Sequence, residues 1–148
     1  MKLRYDMLTH GVNIVCTKYE GKFSGLAVAW ATQIDVDRIL ICVGSQSYTR
    51  ELILKSKIFG LSVLAKGQEE IARKFGRQSS KKVDKFKNIA YHTLKTGSPL
   101  LNDCIAVFDC EVEKVFDYND TKLIVGKIVA AEFIRKEYEP LVYKEKDY

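Results

Sequence analysis

Residues Leu26 to Thr49 read L-A-V-A-W-A-T-Q-I-D-V-D-R-I-L-I-C-V-G-S-Q-S-Y-T, and this stretch decides the fold. Leu26–Gln33 is apolar with a polar end. A turn at Ile34 to Arg38 carries Asp35 and Asp37, and a second, nearly continuous apolar run follows to Gly44. The pattern predicts two strands joined by a short connection, the second covered on both faces. Alternation along the first puts Leu26, Val28, Trp30 and Thr32 on one face and Ala27, Ala29 and Ala31 on the other. An alanine face admits close approach, either by a packed helix or sheet or by a flat ligand. The second run ends in G-S-Q-S-Y-T, a hydroxyl-rich turn that opens a helix. Backbone N–H groups at a helix start lack partners, and the helix dipole favours an anion there, so this turn is a candidate phosphate cradle.

Working outward, Val12–Tyr19 predicts a strand, with a turn at Glu20-Gly21-Lys22 making a hairpin with the central strand. Downstream, Ser47 or Thr49 caps a helix with Glu51 in its first turn. Phe59–Leu64 is a short strand. Gln68–Phe75 is a helix with acids first, Arg73 and Lys74 last, and Gly76 as its stop. Arg77–Lys87, R-Q-S-S-K-K-V-D-K-F-K, is the most basic segment. It reads either as a solvated loop or as a flap over an anionic ligand. Tyr91–Leu94 is a short strand, followed by a turn at Gly97-Ser98-Pro99. Cys104–Phe116 alternates, with Asp109, Glu111 and Glu113 opposite an apolar face. A turn at Asp117–Thr121 connects it to a last long strand, Lys122–Phe133. Pro140–Tyr143 reads as a short docked edge piece.

The 148 residues are 47% hydrophobic and 29% charged, which predicts a single globular domain over residues 1–148. No apolar run is long enough for a membrane helix, and the opening M-K-L-R-Y-D lacks a signal-peptide core, so a cytoplasmic, membrane-free protein is expected. The four cysteines form no C-x-x-C pair and read as reduced core thiols, with no metal site expected. The net charge of +5 suits an anionic ligand but argues weakly for nucleic acid. A cofactor-free oligonucleotide-binding barrel would need exposed aromatics among the basic residues, and Phe86 alone lies in that segment. Nucleotide-loop, zinc-protease and serine-hydrolase motifs are absent, and His10 and His92 are the only histidines. No side-chain catalyst is therefore expected, and any redox chemistry would fall to a bound cofactor.

The strings A-W-A-T-Q (29–33), V-G-S-Q-S-Y-T (43–49) and E-L-I (51–53) carry a resemblance that extends in order through S-V-L, Q-E-E-I-A-R-K-F-G, V-D-K-F, P-L-L-N-D-C and L-I-V-G-K-I. Together they resemble the flavin reductase-like, FMN-binding split-barrel proteins, over about Gly11 to Tyr143. The resemblance implies a mainly β protein, a six-stranded Greek-key barrel, and a homodimer holding FMN near its interface. It implies cofactor contacts at Ala29, Trp30, Ala31, Thr32 and Gln33 along the flavin. Further contacts fall at Ser45, Gln46, Ser47, Tyr48 and Thr49 around the phosphate and ring, and at Lys85 of the D-K-F segment. Trp30 reads equally as a core residue, and the hydroxyls read equally as ordinary caps.

Relatives commonly carry paired prolines where this chain has Asp37-Arg38. The chain is also short for the family, without an obvious extra loop for a nicotinamide or a rubredoxin centre. The expected activity is transfer of hydride from NADH or NADPH to FMN, with free flavin, a ferric chelate or a redox protein as acceptor. The alternative is an FMN electron-transfer protein reduced by a ferredoxin or rubredoxin.

Overall fold

Glu20 and Gly21 both adopt positive φ, 49° and 77°, which is the two-residue turn that matches the twist of paired strands. It joins β1 (Asn13–Tyr19) to β2 (Lys22–Val28), with Tyr19 opposite Lys22. The computed structural model describes residues 1–147. After β2 come β3 (Ala31–Asp35), β4 (Arg38–Val43), α1 (Tyr48–Ser56), β5 (Ile58–Val63) and α2 (Glu69–Arg77). Two short strands, β6 (Tyr91–His92) and β7 (Leu100–Leu101), pair with each other. The long hairpin of β8 (Ala106–Tyr118) and β9 (Thr121–Phe133) completes the sheet.

The main sheet runs β2-β1-β5-β8-β9-β4-β3, every pairing antiparallel. Its two outermost strands are successive pieces of one stretch. β2 pairs with β1, the chain bends at Ala29-Trp30, and β3 pairs with β4. The bend therefore closes the sheet into a ring, which is six-stranded when β2 and β3 count as one bent strand. Order and connections are those of the expected Greek-key split barrel, mainly β with two helices. The continuous strand expected from Leu26 to Gln33 is corrected here. Trp30 leaves the β2 alternation, and its carbonyl accepts from Cys42 N–H at 2.9 Å instead.

Two apolar layers follow from the strand periodicity. Val15, Val28, Ile39, Ile41, Val43, Phe59, Leu61, Cys110 and Ile124 fill the barrel, and Ile53 of α1 belongs to the same cluster. Gly126 is required inside it, because a Cβ there would stand 2.6 Å from Phe59 Cε1. On the outer face Ile14, Cys16, Leu64, Phe75, Phe86, Leu100, Leu101 and Val107 pack with α2 and the 86–104 segment. The central strands are thus covered on both sides.

That second layer corrects one expectation. Asp109 was expected on a polar face with Glu111 and Glu113, but it is fully buried. Its carboxylate accepts from Lys95 N–H at 2.7 Å, Thr96 N–H at 2.8 Å and Thr96 Oγ1 at 2.5 Å. Segment 95–98 lies over the outer face of β8 and supplies the donors that a buried carboxylate needs. A second correction concerns α2. Gly76 lies inside the helix, which runs to Arg77 and ends at an extended Gln78. The docked tail is present as expected: Val12 N–H donates to Leu141 O and Leu141 N–H to Leu64 O, both at 3.0 Å.

Candidate functional site

The turn after β4 and the start of α1 open onto a cavity of about 570 Å³. Ser45, Gln46, Ser47, Tyr48 and Thr49 line one side. The end of α2 and the basic segment line the other, through Phe75 to Ser80 and Lys85. Leu26 and Gly44 close the base, and Asp120 is the one acid at the wall.

Each element has a local cause. Ser47 is the helix cap: its backbone is extended and its Oγ accepts from Arg50 N–H at 3.1 Å. The N–H groups of Tyr48 and Thr49 meet no acceptor among the described residues. Two donors at the positive end of a helix thus border the cavity. Arg50 holds this turn in place by donating to Val43 O at 3.2 Å and Asp120 O at 2.8 Å. Thr49 is 3% exposed, and its hydroxyl is bonded to Ser24 Oγ at 2.7 Å, which ties α1 to β2. What Thr49 offers a ligand is its backbone N–H.

The basic segment is neither a free loop nor a loose flap. Ser80 brackets the Gly25 peptide, accepting from Gly25 N–H at 3.1 Å and donating to Gly25 O at 3.2 Å. Lys85 is 3% exposed. Its ammonium donates to Gly25 O at 2.8 Å and to Phe75 O at 2.7 Å. It thereby satisfies a carbonyl in the last turn of α2, where a cation is favoured. Gly25 must be glycine at this junction, since a Cβ would meet Phe75 Cε1 at 2.8 Å and Cys16 Sγ at 2.9 Å.

Burial pulls the Lys85 ammonium down to about 8, opposed by the neighbouring Cys16 thiol. Burial likewise pushes the Cys16 thiol up, out of the range where it ionises. Two of the three Lys85 N–H groups are used by carbonyls, the ammonium lies 5.7 Å from the Phe75 ring centroid, and the third N–H has no hydrogen-bond acceptor among the described residues.

A smaller cavity of about 240 Å³ adjoins the first, since Leu26 and Gly44 line both. Ala29 and Trp30 line this second space, with Tyr5 and Cys42. Trp30 is 42% exposed, its ring 5.7 Å from that of Tyr5, so it is a surface residue of the site and not a core residue. The structure therefore brings eight of the eleven expected contacts, Thr49 among them, around two adjoining cavities. Ala31, Thr32 and Gln33 lie outside both, on β3, where Thr32 and Gln33 are exposed and Gln33 Nε2 donates to Val36 O at 2.9 Å. Arg77, Gln78 and Ser79 also line the main cavity and were not singled out from the sequence. The signal was the R-Q-S-S string at the head of the basic segment.

No group of metal-ligating side chains occurs among the described residues. No helix of the described chain is long and apolar enough to cross a membrane. Among the four cysteines, Cys16, Cys104 and Cys110 are buried and Cys42 is half-buried.

Known proteins match this architecture. The ferric-chelate reductase (NAD(P)H) of Archaeoglobus fulgidus is 30% identical over 142 residues, covering 93% of this chain and 83% of its own. The reductase subunit of a flavin-dependent monooxygenase from Rhodococcus jostii is 32% identical over 136 residues, covering 90% and 68%. Among solved structures, an FMN-binding protein from Thermus thermophilus shares the fold with a TM-score of 0.90 at 22% identity, over 100% of this chain and 89% of that one. The family model described as flavin reductase like domain matches residues 5–148, and the chain belongs to that family.

Proposed function

We propose that this protein is an NAD(P)H-dependent flavin reductase that holds FMN in the main cavity. One observation carries the reading. Two free helix-start N–H groups, the Ser45 and Ser47 hydroxyls and the spare N–H of Lys85 border the same cavity of about 570 Å³. That donor set suits a phosphate dianion. In this reading Ser45, Gln46, Ser47, Tyr48 and Thr49 hold the phosphate end with Lys85, while Ala29 and Trp30 border the ring end. Ala31, Thr32 and Gln33 extend the ring contacts along β3.

When bound, FMN supplies the two-electron chemistry, taking hydride from a nicotinamide and passing electrons to free flavin or a ferric chelate. The chain's own part is to bind, orient and exclude water. Neither histidine is placed as an acid or base here. His92 is engaged with Asn102 Oδ1 at 2.6 Å and Glu132 Oε1 at 3.0 Å, and neither His92 nor His10 lines the cavities.

The test is the visible spectrum of the protein purified with FMN, followed by anaerobic mixing with NADH and with NADPH. Bleaching by either nucleotide is the expected result. If both leave the flavin oxidised while reduced ferredoxin or rubredoxin bleaches it, the electron-transfer alternative replaces the reductase reading.

The working form in this reading is a homodimer. Ile34, Val36, Phe116, Tyr118 and Phe133 of β3, β8 and β9 and their connections are 49–82% exposed, apolar surface that a second copy would cover. Light scattering on the FMN-loaded protein should give twice the 16.9 kDa chain mass. A monomer at micromolar concentration would overturn this part.

A further inference from the structure

Tyr5 stands at the ring end of the site without belonging to the barrel. It lines the cavity of about 240 Å³ together with Ala29, Trp30 and Cys42. Its ring centroid lies 5.7 Å from that of Trp30, with the two planes 56° apart. It comes from the segment ahead of β1, and that segment is stitched down on both sides of it. Arg4 donates to the Asp6 carboxylate through Nε at 2.9 Å and Nη2 at 2.8 Å. Asp6 Oδ2 also accepts from Glu145 N–H at 3.0 Å. The tail that carries Glu145 is itself docked, with Tyr143 N–H donating to His10 O at 2.8 Å.

The side chain between these stitches is held more lightly. Tyr5 is 61% exposed, and its hydroxyl makes no hydrogen bond among the described residues. One aromatic contact keeps the ring over Trp30, so a rotamer change would uncover the cavity without moving the backbone.

We propose that Tyr5 decides which electron acceptors are served: it screens the ring end from partners that must stack there and leaves it open to partners that need only come near. The inference rests on the FMN reading above. Hydride transfer demands contact between the reacting atoms. A nicotinamide giving hydride from C4, and a free flavin taking two electrons and a proton at N5, must both turn Tyr5 aside. A ferric chelate takes one electron at a time and needs no such contact, because an electron passes across an intervening aromatic ring. For each hydride that enters, two ferric ions become ferrous and one proton goes to solvent. Tyr5 thus favours a ferric chelate over free flavin as acceptor.

Tyr5→Ala, Tyr5→Phe and Asp6→Ala test this, with the exposed Lys136→Ala as control. Acrylamide quenching of Trp30, the single tryptophan, reads the cover in flavin-free protein. It should rise in Tyr5→Ala and Asp6→Ala and stay unchanged in Tyr5→Phe and the control. FMN-loaded protein reduced with dithionite without air is then mixed with riboflavin or with ferric EDTA. Re-oxidation by riboflavin should speed up about two- to tenfold in Tyr5→Ala, the size of one aromatic contact, and Asp6→Ala should follow in direction. Re-oxidation by ferric EDTA should stay within about twofold of wild type. Unchanged quenching in Tyr5→Ala, or equal rate changes for the two acceptors, overturns the screening role and leaves the FMN reading standing. Slower re-oxidation by riboflavin in Tyr5→Ala would make Tyr5 a platform for the incoming ring and also overturns it. Wild type that binds no FMN overturns both.

Discussion

Replacing Lys85 with methionine separates two roles that its position combines. The ammonium is buried and bonded to two carbonyls, so deletion invites the expectation that the site wall collapses. The magnitudes argue otherwise. Charge-assisted bonds contribute about 1.5–3 kcal/mol each, but burial has lowered this lysine from 10.5 to about 8. That shift corresponds to roughly 3 kcal/mol spent on keeping the charged form in place. Methionine removes both terms, and Gly25 O keeps its bond from Ser80 Oγ at 3.2 Å. Phe75 O loses its donor, so Lys85→Met should cost about 1–2 kcal/mol of folding stability at pH 7, which leaves the site wall folded.

Its effect on ligand should be larger. Losing one charge-assisted bond to phosphate weakens FMN about ten- to a hundredfold and leaves riboflavin, which has no phosphate, nearly unchanged.

The pH dependence gives opposite signs for the two roles. Between about 8 and 10.5 the unfolded chain still holds the Lys85 proton while the folded chain has released it. Stability from this group therefore rises with pH across that window, and the cost is fully present below it. The neutral amine keeps two N–H groups, enough for both carbonyls. FMN affinity should instead fall as pH rises through 8, because the charge facing the phosphate is lost. Fluorescence titrations with FMN and riboflavin at pH 7 and 9, beside denaturant melts at the same pH values, read both effects. An FMN-to-riboflavin affinity ratio that ignores both the substitution and the pH would refute the phosphate role of Lys85.

Other expectations follow from particular contacts. Gly126→Ala should cost about 2 kcal/mol by thermal denaturation, since its Cβ would press on the fully buried Phe59 ring, which has no room to swing aside. Asp109→Ala should cost about 3 kcal/mol in urea, because it strands the Lys95 and Thr96 N–H groups beneath segment 95–98. Ser47→Ala should lose about 1 kcal/mol from the α1 cap, and FMN titration should show a loss larger than that for riboflavin.

The elements most legible in the sequence were those whose pattern and packing agree. β4, β5, the long β8–β9 hairpin and α1 with its Ser47 cap lie where alternation, length and cap chemistry put them. The break at Ala29-Trp30 was hidden because the apolar alternation runs on through a bend that only pairing with β4 reveals. Asp109 was hidden for a related reason: the residues that bury it lie thirteen and fourteen positions upstream and touch it through two backbone N–H groups and one threonine hydroxyl, none of which marks a partner for a carboxylate in the sequence. The helix start of the cavity was readable from hydroxyls and turn residues. The opposite wall was not, because R-Q-S-S-K-K has a solvent-loop composition. Its order comes from Ser80 and Lys85 reaching a single glycine peptide on β2.

Closing the ring with one bent stretch also sets an order of events in time. The β8–β9 and β1–β2 hairpins pair residues near in sequence, whereas β4 must wait for β9, as Ile41 opposite Ile124 shows. Closure of such long chain loops is entropically slow, so the β2–β3 seam is a late event on the folding route. The main cavity includes Leu26 before the seam, Gly44 after β4 and Asp120 at the hairpin tip, so it exists only once the seam is shut. A molecule held there acts as a clasp on the finished barrel. Hydrogen exchange at the Cys42 N–H, which donates to Trp30 O across the seam, should slow when it binds, by the factor set by its free concentration over its dissociation constant.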